Sequence, residues 1–322
     1  MVDDNPDILV AKVVNVRSVV TVLKAIAFKG KAICEVTEKG LKFTTEGAAH
    51  TVQAHAYLES KTFDEYRFMP GQQAPALAND HLDDDEGGSS VIFSIELDDT
   101  IECLTIFGGS SLIPFSGKDH QSRGDAMGTA HPRSMKSETV VSLKMTLKRS
   151  IEELTLILEE NGVMTVCRIP TSDAEINVDF VQEFKLRPLI SKLIVSSEWL
   201  KFGFSDIDKT AEFITLQMSP HPPQMRISAT TPAGEAQLDF PKGSEVVEAF
   251  HCEKGQEYKY KYSMIEPFFK ALAVSTKTAI KMNEMGFLSM QFLIPIAEDE
   301  TCFVEYLCLA MVNIDDETLC DD

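Results

Sequence analysis

The segment ILVAKVVNVRSVVTVLKAIAF, residues Ile8–Phe28, contains both kinds of element from which the chain is built. Ile8–Val14 has the nearly continuous apolar character of a buried strand. Val16–Phe28 instead has apolar residues at helical spacing, which predicts a helix with one face in the core. The apolar positions of that helix are Val16, Val19, Val20, Leu23, Ile26 and Ala27.

Short strands follow this first unit, and their alternating apolar residues are typical of a sheet with one buried face. Asn161-Gly162 separates two of them and is a strong signal for a two-residue hairpin. A second helix is predicted at Asp98–Phe107, which Gly108-Gly109 ends. The predicted strands are Ala32–Thr37, Leu41–Thr45, Thr51–Tyr57, Val91–Leu97, Thr139–Leu147, Glu153–Leu158 and Val163–Ile169.

The second half repeats this order of elements. Ser197–Ile207 predicts a helix whose buried stripe contains Leu200 and Phe204, and Ser263–Ser275 predicts a later one. Pro and Gly residues mark the turns between the strands. The predicted strands of this half are Leu189–Ser196, Phe213–Met218, Met225–Ala229, Glu235–Phe240, Thr278–Met282, Phe287–Ile296 and Thr301–Leu309.

The duplication predicts an α+β fold with two similar domains, each with two short helices on antiparallel sheets. Residues 1–170 form the first domain, and residues 189–322 form the second domain, which ends in an acidic tail. The polar stretch 171–188 between them is predicted to be an interdomain connector. Gly71–Ser90 and Gly109–Ser137 are rich in Gly, Ser and charge, and are predicted to be loop insertions.

Composition excludes several classes of protein. The formal charge of −20 argues against a protein that grips nucleic acid with its whole surface. The N-terminus lacks the features of a signal peptide, and no apolar stretch approaches the length of a membrane span, so we expect an intracellular protein without membrane contact. The chain has 7 cysteines, and none form a C-x-x-C pair. We therefore expect reduced thiols, no metal site and no cofactor.

Six stretches of the sequence carry a resemblance to one known family. They are VR (Val16–Arg17) with LKAI (Leu23–Ile26), CLTIFG (Cys103–Gly108), GVMTVC (Gly162–Cys167), EAFHC (Glu248–Cys252), GFLSMQ (Gly286–Gln291) and CFVEY (Cys302–Tyr306). In this order along the chain they resemble the Rad-one family of subunits of the nine-one-one (Rad-nine/Hus-one/Rad-one) DNA-damage checkpoint clamp, relatives of the sliding clamp PCNA. The resemblance runs from about Leu9 to Leu309 and fails chiefly in the two insertions.

The resemblance implies a DNA-clamp fold and a function without catalysis. The chain would be one subunit of a nuclear 1:1:1 ring with two other checkpoint clamp subunits, placed by a clamp loader around double-stranded DNA at damage sites. The ring would recruit checkpoint and repair client proteins. A closed ring holds DNA topologically, so it needs only weak contacts to phosphates.

Helices are expected to line the hole of such a ring. Arg17, Thr21 and Lys24 share one face of the first helix, opposite its apolar stripe. Helical spacing alone favours an ordinary solvated face, and the resemblance turns the preference toward DNA. The predicted DNA-facing residues are Arg17, Lys24, Lys270 and Lys201.

The resemblance also implies two strand edges that join neighbouring subunits, and a groove for client peptides beside the connector. The alternative is that the edges are internal strands and that the groove residues are core. The predicted subunit interface contains Val163, Thr165, Cys167 and Ile169 from one strand and Glu235, Gln237 and Asp239 from another. The predicted partner groove contains Phe63, Phe180, Leu293 and Phe303.

Two features depart from the clamp pattern. The second helix carries Asp98, Asp99 and Glu102 where related clamps tend to carry lysines. Trp199 and Phe202 lie off the apolar stripe of their helix; they could stack on bases of single-stranded DNA, although a widened core is the more common role.

Two other functions remain open. A 3′–5′ exonuclease would need carboxylates converging on metal ions, and Asp98, Asp99 and Glu102, or Asp206 and Asp208, are candidates. Acids at a helix start are also explained by the helix dipole, and we assign no catalytic residue. An adaptor of similar fold that never encircles DNA would keep the interfaces but not the hold on DNA.

Overall fold

The computed structural model describes residues 7–47, 50–70, 89–107, 140–174, 178–207, 209–232, 234–297 and 300–311. The predicted insertions, apart from Ser89 and Ser90, and the acidic end of the chain lie outside these ranges.

The first half contains all the predicted strands, one further strand and both predicted helices. Its elements are β1 Asp7–Val13, α1 Val16–Ile26, β2 Lys31–Thr37, β3 Gly40–Glu46, β4 Val52–Glu59, a 3-10 turn Ser60–Thr62, β5 Glu65–Phe68, β6 Val91–Glu96, α2 Leu97–Leu104, β7 Ser142–Lys148, β8 Glu153–Glu160 and β9 Val163–Ser172. The hairpin signal is confirmed, because Asn161 and Gly162 have positive φ angles and Glu160 pairs with Val163.

The second half begins with a short helix inside the predicted connector. Its elements are α3 Phe180–Lys185, β10 Leu189–Ser196, α4 Ser197–Ser205, β11 Phe213–Met218, β12 Met225–Thr231, β13 Gly234–Phe240, β14 Val247–Cys252, β15 Gln256–Lys261, α5 Tyr262–Ile265, α6 Phe268–Val274, β16 Lys277–Asn283, β17 Leu288–Pro295 and β18 Thr301–Cys308.

One predicted helix is wrong in its extent. Ser263–Ser275 was expected to form a single helix, but α5 ends at Ile265 and α6 begins at Phe268. Pro267 lies between them, and proline has no backbone N–H to continue the helical hydrogen bonds.

The strands form two antiparallel sheets, which confirms the α+β class. The larger sheet has the order β14-β10-β16-β17-β18-β4-β3-β2-β6-β9-β8-β7-β1-β5, and the smaller has the order β13-β12-β11-β15. The larger sheet passes from one half of the chain to the other where β18 pairs with β4. The boundaries of the two domains remain a prediction.

Helix α1 shows how the sequence fixes the local structure. The Asn15 side chain accepts a hydrogen bond from the Arg17 N–H at the helix start, and the apolar residues face the core. The helix packs between α2 and α6, and α6 also packs against α4, so the helices form the row α2-α1-α6-α4.

This row covers one face of the central strands. Tyr306 of β18 donates a hydrogen bond of 2.5 Å to the Ala25 carbonyl of α1, and its ring lies 4.7 Å from that of Phe268. Because side chains alternate along a strand, the odd-numbered residues Phe303, Glu305 and Leu307 point to the opposite face. The central sheet therefore has a helix-covered face and an outer face.

Candidate functional site

The predicted DNA-facing residues lie on the helix row. Arg17 is exposed in the first turn of α1, and Lys24 is half-buried in its last turn. Lys201 is exposed on α4. Lys270 is exposed on α6, and its Nζ donates a hydrogen bond to the carbonyl of Ala27 at the end of α1. That ammonium group therefore also stabilises the helix C-terminus, where the dipole favours a cation.

Charge is uneven along the row. At its α2 end, Asp98, Asp99 and Glu102 are all exposed. Asp98 and Asp99 occupy the first turn of α2, where the helix dipole stabilises acids. The cations at the centre of the row are thus flanked by an acidic end.

The α4 end of the row is aromatic. Trp199 is 52% exposed and Phe202 is 57% exposed, and their ring centroids are 6.2 Å apart. The interpretation of these residues as a widened core is therefore wrong. Leu200 and Phe204 already fill the buried side of the helix, so the two aromatic rings are left on the surface.

Among the described residues, the two strands predicted to form the subunit interfaces, β9 and β13, each have an edge with few strand partners. β13 lies at the end of the smaller sheet and pairs only with β12 there. β9 pairs with β8 along its length, but with β6 only at Thr171 and Ser172. Unpaired backbone groups along such edges can join a strand from another chain.

Most but not all of the residues predicted for the subunit interface are exposed or half-buried, and two exposed residues were not predicted. On β9, Val163 is exposed, Thr165 and Cys167 are half-buried, and Ile169 is buried. On β13, Glu235, Gln237 and Asp239 are exposed, and Asp239 pairs with Arg226 at 2.7 Å. The sequence reasoning missed Met164 and Val166, which are 65% and 48% exposed on β9. The signal in the sequence was the alternation of side chains along a strand, which places Met164 and Val166 on the face opposite Thr165 and Cys167.

The four predicted groove residues do not form one cluster. Leu293 and Phe303 are direct cross-strand partners on the outer face, and Phe303 is 46% exposed. Phe63 is buried in the main core, with its ring 5.5 Å from that of Tyr66. Phe180 belongs to a separate small cluster with Phe287 and Leu307.

The strand registers arrange the outer face in three rows. The first row contains Leu293, Phe303 and Tyr57, and its ends are Lys277 and Lys42. The second contains Gln291, Glu305, His55 and Thr44, and the third contains Ser289, Leu307, Gln53 and Glu46. In the apolar first row Phe303 is exposed and Leu293 and Tyr57 are half-buried, whereas the third row is covered by the segment that contains α3.

Gln53 holds that segment on the sheet. Its Nε2 donates a 2.7 Å hydrogen bond to the Val178 carbonyl, and its Oε1 accepts a 3.1 Å hydrogen bond from the Phe180 N–H. Lys42 adds an ion pair with Asp179 at 3.8 Å. The side chain of Gln53 is buried, so these bonds are shielded from water. Sequence reasoning missed this contact, since no local pattern marks a glutamine in a strand as a docking residue.

His55 is the buried residue of the middle row, whose other members are half-buried. Its Nδ1 is 3.0 Å from the Thr44 hydroxyl, and its Nε2 has no hydrogen-bond partner in the structure. Burial, and secondarily the nearby Lys42 charge, lowers the pKa of His55 to about 3. The imidazole is therefore neutral at physiological pH.

The described residues contain few of the side-chain groupings that catalytic or metal sites need. The six described cysteines are free, and burial raises the pKa of Cys103 and of Cys302 to about 11. Within the described ranges, no three His, Cys, Asp or Glu side chains are grouped to hold a metal ion. Asp206 is exposed, while Asp208 lies outside the described residues. No helix in the described part of the chain is long and apolar enough to span a membrane.

A row of helices on antiparallel sheets, continuous between the two halves, defines a PCNA-like clamp fold. The chain belongs to the family described as Repair protein Rad1/Rec1/Rad17, whose model matches residues 8–294. The expected family is thereby confirmed, and with it a place among checkpoint, DNA-repair and cell-cycle proteins.

Three relatives show the range of the family. The cell cycle checkpoint protein RAD1 of Mus musculus is 37% identical over 300 residues, which cover 93% of this chain and 91% of that protein. The protein of the same name from Homo sapiens is 36% identical over 306 residues, covering 95% and 93%. The DNA repair exonuclease REC1 of Mycosarcoma maydis is 22% identical over 412 residues, covering 89% and 88%.

Proposed function

We propose that this chain is a non-catalytic subunit of a heterotrimeric checkpoint sliding clamp, which encircles DNA at damage sites and recruits checkpoint and repair proteins. The observation that carries the proposal is the combination of a helix row with cations at its centre and two strand edges at β9 and β13. Membership of a family whose members are named as checkpoint proteins supports it. A nuclear location follows from this function.

The helix row is the proposed DNA-facing surface. Arg17, Lys24, Lys270 and Lys201 supply a few mobile contacts to phosphates, which suits sliding because strong contacts would hold the ring at one place. The exposed carboxylates of α2 weaken the contact at one end of the row. This subunit therefore contributes a small and uneven share of the DNA contact.

The β9 and β13 edges are the proposed subunit interfaces. Each would extend a sheet into one of two different partner subunits, and a clamp loader would open one such joint to admit DNA. The exposed aliphatic residues Val163, Met164 and Val166 add apolar area at the β9 edge.

An edge variant tests the proposal. Met164→Glu places a charge at the β9 edge, so it should prevent one subunit contact and leave the fold intact. Met285→Glu is the matched control, because Met285 is 63% exposed in a turn between β16 and β17. Light scattering of the chain with its two partners should show a 1:1:1 assembly with Met285→Glu but not with Met164→Glu. A stable homotrimer of the chain alone would refute the proposed ring composition.

The outer face is the proposed client site. Leu293, Phe303 and Tyr57 form a partly exposed apolar row beside the segment that Gln53 docks. Phe180 supports that segment from beneath, and Phe63 supports the sheet from the core. A client peptide would lay aromatic or aliphatic side chains on this row.

The second candidate function is a 3′–5′ exonuclease, which the name of the Mycosarcoma maydis relative favours. Asp98, Asp99 and Glu102 would be the acids, although their positions at a helix start have a structural explanation. Digestion of labelled single-stranded DNA with Mg²⁺ separates the two functions. Activity that is lost in Asp98→Ala/Asp99→Ala would establish the enzyme, whereas equal background in both proteins supports the clamp.

A further inference from the structure

Helix α4, which carries Trp199 and Phe202, touches the side chain of Leu238 on the end strand β13. The contact is at Gly203, where an added Cβ would lie 3.1 Å from the Leu238 side chain. Residues 199, 202, 203 and 206 share one side of α4, since a helix turns by about 100° per residue. The side of α4 that carries the two rings is therefore the side toward the end strand β13, and Lys201 points about 200° away from Trp199.

The other proposed subunit edge, at β9, also has a helix packed against its strand, but the exposed side chains of that helix differ. Helix α2 packs against β9, and Cys103 shares a side-chain hydrogen bond with Cys167 of that strand. On the side of α2 that carries Cys103, the exposed residues include Asp99 and Glu102. One strand edge is thus flanked by aromatic rings, and the other is flanked by carboxylates.

We propose that Trp199 and Phe202 form an aromatic anchor for one of the two partner subunits, the one whose edge strand pairs with β13. This inference rests on the proposed function, in which the β13 edge is a subunit interface. The anchor requires a partner whose helix beside its edge strand presents aliphatic or cationic side chains. Aromatic residues at the centre of an interface commonly supply most of its binding energy.

A second copy of this chain does not fit the anchor. In a head-to-tail pair, β9 of one copy would extend the sheet at β13 of the other, and the helices beside the two edges would become neighbours. Asp99 and Glu102 would then lose water against Trp199 and Phe202 without gaining a cation, which is unfavourable. The chemistry of the two ends therefore selects a different partner at β13.

Nucleic acid is also a poorer occupant. Glu198 and Asp206 are exposed on either side of the two rings, and their charges would repel the phosphates of a strand whose bases stacked there. The cations of the helix row lie on α1 and α6, or on the far side of α4. An apolar protein surface matches this site better than a polyanion does.

Trp199 is the single tryptophan of the chain, so its fluorescence reports on this site directly. Each partner is first freed of its own tryptophan emission, either by labelling with the non-fluorescent 4-fluorotryptophan or by substitution of its tryptophans. Titration with these partners should shift the Trp199 emission to the blue with one partner only. Phe202→Ala should weaken binding to that partner by roughly 30-fold or more and leave binding to the other unchanged. Phe184→Ala, an aromatic change in the connector, is the control for both measurements.

Four results would overturn the inference. They are an emission that stays constant in a fully assembled ring, a blue shift with both partners, a blue shift that depends on the concentration of the chain alone, and quenching by oligothymidylate without partners. A constant emission in a fully assembled ring would refute the aromatic anchor but not the proposed ring. Failure of assembly with both partners in the wild-type chain would instead refute the proposed function.

Discussion

Gln53→Met tests how the segment around α3 is held on the outer face. Methionine has nearly the volume of glutamine but makes neither of the hydrogen bonds to Val178 and Phe180. Losing a hydrogen bond costs about 1 kcal/mol, and leaving the buried Phe180 N–H without a partner costs about 1–3 kcal/mol, so the docked state should lose about 2–4 kcal/mol. The bonds join residues that are 125 and 127 positions apart, so the loss should appear as undocking of this segment.

Limited trypsin digestion measures this undocking. Cleavage after Lys185, which is exposed in the last turn of α3, should be more than ten-fold faster in Gln53→Met. Gln182→Met changes an exposed glutamine of the same helix and should cleave at the wild-type rate. Equal cleavage of Gln53→Met and wild type, with equal stability in urea, would refute the docking role of Gln53.

Three further predictions concern single sites. Phe303→Ala should weaken binding of a labelled peptide with two aromatic residues, and should change the free energy of unfolding by less than about 1 kcal/mol. Phe63 is buried, so Phe63→Ala should instead lower the free energy of unfolding in urea by about 3–5 kcal/mol. The pKa of His55 is lowered to about 3 in the fold, while an unfolded imidazole titrates near 6.5, so the unfolded state gains the proton first as pH falls. Stability should then fall by about 2 kcal/mol from pH 7 to pH 5 in the wild type, and His55→Asn should lack this part of the slope. Lys201→Ala in the assembled ring should reduce the slope of log affinity against log salt by about 0.9 if Lys201 contacts one phosphate, and an unchanged slope would place it off the DNA.

Periodicity was enough to predict most of the fold. Apolar spacing gave α1 and α4, alternation gave most of the strands, and Asn161-Gly162 gave a hairpin. Strands β5, β14 and β15 were missed, because they are short and polar on one face. The break between α5 and α6 was indicated in the sequence by Pro267. It was missed because apolar residues at helical spacing continue on both sides of the proline.

The candidate site was predicted less completely, since it depends on contacts between distant residues. Phe63 and Phe180 have the same apolar character as Phe303 in the sequence, yet of the three only Phe303 is exposed. Burial there is set by which strands become neighbours, and one sequence does not show the order of strands in a sheet. The exposure of Trp199 likewise depends on Leu200 and Phe204 filling the core first.

Retention on circular DNA tests the central claim most directly. The three-subunit assembly, loaded by its clamp loader onto a nicked circular plasmid, should remain bound during gel filtration in high salt, because the hold is topological and not ionic. Cutting the plasmid once should release it, since the ring can slide off an end. Retention that is equal on circular and cut plasmid, or loss from the circle at high salt, would contradict a clamp that encircles DNA.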